Sequence, residues 1–131
     1  MIEAKEHTRL QKAMVWLDYR GRREGWLAFI LMRLTGLGLA LYLLLHFYML
    51  RQLLIGEATY NAFIESAHTP FYWSLDALLI FGLLFHAFNG LRVIALGFGY
   101  GTKAQARLFW LVFALTLLLT AAAMWGIITL A

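Results

Sequence analysis

Two histidines lie inside long apolar stretches, His46 in LALYLLLHFYML and His86 in LLIFGLLFHAFNGLR. Both stretches read as membrane spans, where an ionisable side chain is costly and marks a functional site by default. Neutral imidazole keeps one unprotonated nitrogen, and it is a common axial ligand of haem iron. Two such residues on consecutive spans point to a membrane cytochrome b. The competing reading is that each imidazole only bonds to a neighbouring helix.

The elements that must carry these histidines follow from composition. Of the 131 residues, 63% are apolar, and the mean hydropathy is +0.73. That is too apolar for a soluble domain of this size. The expected fold class is an all-α membrane protein with three transmembrane helices, at about 26–55, 71–98 and 108–131. Each run meets the ~20 residues an α-helix needs to cross the hydrocarbon layer. The chain reads as a single membrane-anchor domain, residues 1–131, with no room for a soluble catalytic domain. There are no cysteines, which excludes thiolate-held iron–sulfur clusters, zinc–thiolate sites and covalently attached c-type haem in this chain. The polar start, MIEAKEHTRLQKAM, fits neither a signal peptide nor an organellar presequence. The expected location is a bacterial or archaeal inner membrane.

Orientation is read from lysine and arginine. Residues 1–25 carry Lys5, Arg9, Lys12, Arg20, Arg22 and Arg23, and the second loop carries Lys103 and Arg107. The first loop, from Gln52 to Pro70, has no Lys or Arg and holds Glu57 and Glu65. The N-terminus and second loop are therefore expected in the cytoplasm, with the first loop and C-terminus outside. This asymmetry accounts for the net charge of +4 without a nucleic-acid partner. Trp26, Tyr60, Phe71, Tyr72, Trp73, Tyr100 and Trp110 fall near the expected helix ends, where aromatic belts form.

On this topology His46 lies roughly 13 Å, and His86 roughly 21 Å, from the outer ends of their helices. The offset favours two haems, one toward each side, although helix tilt leaves one haem between them open. Gly90 follows His86 by one turn, and Gly36 falls near the His46 face of its helix; both offer room for a porphyrin or for close helix packing. Arg33 and Arg92 occupy the cytoplasmic portions of the first two spans, and Arg51 the outer end of the first. A guanidinium suits a haem propionate or a quinone carbonyl, so Arg33 and Arg92 fit an inner haem or a quinone, and Arg51 an outer haem. Snorkelling is the alternative for Arg51. His7 and His68 fall in aqueous segments and are assigned no role.

Over about residues 22–100 the chain resembles the small membrane-anchor subunits of succinate dehydrogenase and fumarate reductase, the respiratory complex II family. Met32-Arg33-Leu34-Thr35-Gly36 looks like that family's R-x-[ST]-G segment. Leu45-His46-Phe47-Tyr48-Met49-Leu50 is similar to the histidine segment of two-haem anchors, and His86-Ala87-Phe88-Asn89-Gly90-Leu91-Arg92 matches H-x-x-x-G-x-R. Two departures concern positions that bear on quinone binding in relatives. Gly97 stands where many single-haem relatives have an acidic residue, and Phe29 where they have a serine.

The resemblance implies an anchor and cytochrome b subunit of succinate:quinone oxidoreductase. This chain would pair with a second three-helix hydrophobic subunit to form a haem-binding bundle. Together they would hold the flavoprotein and iron–sulfur subunits at the membrane and frame haem b and a menaquinone or ubiquinone site. It further implies two shared haems, with His86 ligating the inner and His46 the outer. The basic segment, residues 5–23, would lie under the iron–sulfur subunit. Other readings are a haem-free or single-haem anchor, a cytochrome b subunit of another oxidoreductase, and a small transport or scaffold protein.

Overall fold

The computed structural model describes residues 23–130. Of the basic segment 1–25, residues 1–22 lie outside the described residues, and Arg23, Glu24 and Gly25 begin the first helix. The chain forms α1 (Arg23–Ile55), α2 (Glu57–Ala67), α3 (Pro70–Gly97), a short 3-10 turn (Thr102–Ala104) and α4 (Gln105–Leu130). Three of these helices, α1, α3 and α4, are long and apolar enough to span a membrane. Their 33, 28 and 26 residues correspond to about 50, 42 and 39 Å. Each exceeds a hydrocarbon layer of ~30 Å, so the ends reach the headgroups or the helices tilt. α1 and α4 start three residues earlier than their apolar runs. Polar flanks continue a helix readily, and Glu24 in the first turn of α1 meets the positive end of the helix dipole.

α2 is a difference from the sequence expectation of an irregular first loop. Tyr60, Phe63, Ile64 and Ala67 form a half-buried stripe at helical spacing, while Glu57, Asn61 and Glu65 are exposed. The backbone breaks from α1 at Gly56, whose φ of 149° is unfavourable for any residue with a Cβ. Extended Thr69 ends the connection, and Pro70 occupies the first turn of α3, where its missing N–H costs nothing.

α3 is the central helix and packs against both α1 and α4. Its contact with α4 is an aromatic cluster. Phe81 and Phe85 repeat at four-residue spacing, as do Phe109 and Phe113 facing them. The Phe85 ring meets Phe109 and Phe113 edge-on, each at 6.4 Å between centroids. Phe81 meets Phe113 in the same way at 6.0 Å. Such pairs add about 0.5–1.5 kcal/mol each beyond the area they bury. Phe85 and Phe109 are fully buried, and Ala28 of α1 closes the cluster. Thr116 is also fully buried and donates its hydroxyl to the Val112 carbonyl at 2.8 Å. In lipid, where apolar burial drives little association, this shape fit is what holds α3 on α4.

Most large side chains of α1 point outward, among them Leu34, Leu37, Leu41, Leu44 and Phe47. α1 has the apolar exterior of a lipid-facing helix. Phe85→Ala should lower stability by about 3–5 kcal/mol, read as an earlier thermal unfolding of the detergent-solubilised protein. A shift no larger than that of an exposed Leu44→Ala would contradict the assignment of the cluster as the core.

Candidate functional site

The site is built on the α1–α3 contact. Gly82, His86 and Gly90 repeat every fourth residue and share one face of α3. A Cβ on Gly82 would stand 3.9 Å from Thr35 Cγ2, one on Gly36 would stand 3.0 Å from His86 Cε1, and one on Gly90 would stand 3.4 Å from Met32 Cε. The two helices can approach this closely because small residues face larger ones across the contact. His86 therefore lies directly on the backbone of α1 at Gly36. Phe85, the residue before it, turns toward α4, so the aromatic cluster and the histidine occupy different faces of one helix.

The His86 imidazole is half-buried. Its Nδ1 lies 3.2 Å from Thr35 Oγ1. That hydroxyl also lies 2.7 Å from the Leu31 carbonyl oxygen and 3.2 Å from that of Met32. Nε2 of His86 has no hydrogen-bond partner among the described residues and is not an enclosed atom.

His46 sits elsewhere on α1. About ten residues separate it from Gly36, a rise of roughly 15 Å. Its ring stacks on Tyr42 one turn earlier, with centroids 5.7 Å apart and planes at 25°. Nδ1 is enclosed and has no hydrogen-bond partner. The structure thus does not bring the two histidines together. Gly36, which the helical wheel placed near His46, is filled by the His86 ring instead.

The arginines divide by environment. Arg92 is buried and bonds inward. One terminal nitrogen donates to Asn89 Oδ1 at 3.3 Å and the other to the Gln105 carbonyl at 3.1 Å. Its guanidinium carbon stands 5.9 Å from the centre of the Phe109 ring. It ties α3 to the start of α4, next to a turn in which Gly99 and Gly101 have φ of 86° and 73°. Asn89 donates in turn to Met32 Sδ at 3.5 Å, which links the network to α1. Arg33 is exposed and lies over the Phe29 ring, 4.3 Å from its centroid. Phe29 here supports the guanidinium. Arg51 is exposed at the far end of α1. Gly90 lies against Met32.

Sequence reasoning missed Thr35 as the partner of His86, and Asn89 as the partner of Arg92. The four-residue spacing of Gly82, His86 and Gly90 was the available signal for the first. Among the described residues, no three His, Asp or Glu side chains converge as a metal-ion site.

A family model described as succinate dehydrogenase/fumarate reductase transmembrane subunit matches residues 9–123. The chain belongs to this family. It is 31% identical over 102 residues to the succinate dehydrogenase 2 membrane subunit SdhC of Mycobacterium tuberculosis, covering 77% of this chain and 74% of that protein. It is 34% identical over 79 residues to the succinate dehydrogenase hydrophobic membrane anchor subunit of Archaeoglobus fulgidus, covering 60% of this chain and 68% of that one. Within this family the three apolar helices make the chain a membrane anchor of a succinate dehydrogenase/fumarate reductase-like complex, not its catalytic part.

The arginine geometry makes a prediction for this anchor. Arg92→Leu removes the guanidinium whose two terminal nitrogens donate to Asn89 and to the Gln105 carbonyl, and should cost about 1–3 kcal/mol. Arg33→Leu removes only an exposed cation–π contact, worth about 0.5–1 kcal/mol. Thermal unfolding of the two variants in detergent separates them. An Arg33 loss as large as that of Arg92 would contradict the role of Arg92 as an internal strut.

Proposed function

We propose that this anchor is also the cytochrome b subunit of a succinate:quinone oxidoreductase, with His86 ligating an inner haem and His46 an outer one. A second three-helix hydrophobic subunit would supply a further ligand to each haem. Flavoprotein and iron–sulfur subunits dock on the cytoplasmic side, and a quinone, menaquinone or ubiquinone, accepts the electrons in the bilayer. The observation that carries this reading is the axial separation of two imidazoles by roughly 15 Å along α1. Two ligands of one iron sit at nearly one depth, so His46 and His86 suit two irons.

The residues fit the group. The donors are imidazole nitrogens with no carboxylate or thiolate beside them, which suits haem iron and not a hard cation. His86 engages this chain through Nδ1 and so leaves Nε2 for a ligand. His46 has its Nδ1 enclosed without a partner, so its ring is not tied to another side chain by a hydrogen bond. Bound haem supplies one-electron chemistry that a side chain cannot. The protein orients the imidazoles, and lipid and apolar side chains exclude water. Arg33 is propped on Phe29 with its donors unused by other described residues. That supports a role in hydrogen-bonding an inner propionate or a quinone carbonyl. Arg51 suits an outer propionate. Arg92 supports the site indirectly, because its two terminal nitrogens donate to Asn89 and Gln105, while its Nε is enclosed without a partner.

A cytoplasmic N-terminus is supported by Lys103 and Arg107 at the α3–α4 turn, against Glu57 and Glu65 on α2. The test is haem stoichiometry in the purified complex. Wild type should carry two b-type haems, and His46→Ala and His86→Ala should each lose a different one. A single haem lost only in His86→Ala would reduce His46 to a structural residue. A colourless complex would end the cytochrome reading and leave the anchor.

A further inference from the structure

We propose that Thr35 is a positioning residue that fixes the tautomer of His86 and, through it, tunes the potential of the iron His86 holds. The inference rests on the reading of His86 as a haem ligand. It follows from counting hydrogens. The Thr35 hydroxyl has one hydrogen and three oxygen or nitrogen neighbours, with the Leu31 carbonyl nearest at 2.7 Å. A carbonyl oxygen can only accept, so the hydroxyl donates to it and turns its lone pairs toward His86. At 3.2 Å the remaining contact then requires Nδ1 of His86 to carry the proton. The neutral ring with Nδ1 protonated has its lone pair on Nε2, the nitrogen left for a ligand.

Gly36 completes the arrangement. A side chain there would begin 3.0 Å from His86 Cε1, so the ring reaches Thr35 only because the next residue has no Cβ. Thr35 is in turn covered by Gly82, whose Cβ would stand 3.9 Å from the threonine methyl. The hydroxyl is thus held by its own helix, through the Leu31 and Met32 carbonyls, and faces α3. Donation from Nδ1 to an oxygen that is itself polarised makes Nε2 more electron-rich. An electron-rich ligand favours ferric over ferrous iron, so the hydroxyl holds the potential down. His46 has no such acceptor, since its Nδ1 is enclosed without a partner. The two irons are therefore placed in unlike ligand fields by this chain.

The experiment is a redox titration of haem in the assembled complex, in wild type, Thr35→Val and Thr35→Ser, with His86→Ala marking which haem responds. Thr35→Val keeps the shape and removes the acceptor. It should raise the midpoint potential of the His86 haem alone and weaken haem retention by roughly 10- to 100-fold. Thr35→Ser restores the acceptor and should keep the wild-type potential. An unchanged potential in Thr35→Val overturns the proposal, as does an equal shift in Thr35→Ser, which would mark a packing effect. If Thr35→Val does not assemble, redox-difference infrared spectra of 15N-histidine-labelled wild type decide. A hydrogen-bonded Nδ1–H on His86 supports the proposal, and a free one overturns it. Wild type without haem overturns the functional reading itself, and this proposal with it.

Discussion

The close approach of α1 and α3 at Gly36 and Gly82 is the constraint on which the rest of the molecule depends. Neither helix has a polar stripe that could set their register. Both are apolar around most of their circumference, so lipid offers each face nearly the same environment. The glycines break that degeneracy. They let one backbone receive the other's side chains, His86 against Gly36 and Thr35 against Gly82. One register satisfies both contacts and also makes the Thr35–His86 hydrogen bond.

That register separates the two histidines. By seating His86 opposite Gly36, it leaves His46 about ten residues along α1, on a stretch whose larger side chains are mostly exposed. The second contact of α3, the phenylalanine cluster with α4, holds the opposite side of the helix and prevents rotation of the His86 face. Arg92 and Asn89 extend the same function to the α3–α4 turn with polar groups. Two nitrogens of the buried guanidinium reach oxygen acceptors, Asn89 Oδ1 and the Gln105 carbonyl, its Nε is enclosed without a partner, and its charge lies near the Phe109 ring, a favourable cation–π placement.

The spans and the histidines in them were legible in the sequence because hydropathy acts over many residues and an intramembrane imidazole stands out against it. What periodicity could not supply was the pairing of faces. A helix that is apolar all round carries no amphipathic signal, so the wheel assigned Gly36 to its own helix's His46 when it serves His86. Depth likewise placed Arg33 and Arg92 in one class, but depth does not distinguish a face turned to lipid from one turned to a neighbouring helix. α2 was hidden for a different reason. Its stripe of Tyr60, Phe63, Ile64 and Ala67 is diluted by polar residues between them, and the segment was read by its charge alone. The segment Arg33-Leu34-Thr35-Gly36 did contain the needed information, since its last two residues are the hydrogen-bond partner of His86 and the clearance for its ring.

The most direct test of the register uses the absence of native cysteine. In a Thr35→Cys, Gly82→Cys double variant the two Cβ atoms would stand near 4.0 Å, inside the range of about 3.5–4.5 Å that a disulfide spans. Mild oxidation of membranes should close this bridge within one chain, seen as a linked pair of peptides by mass spectrometry. His46→Cys with Gly82→Cys should not close. Efficient bridging of position 46 to position 82, with none at 35, would bring His46 to within about one helical turn of the His86 level and contradict the separation along α1.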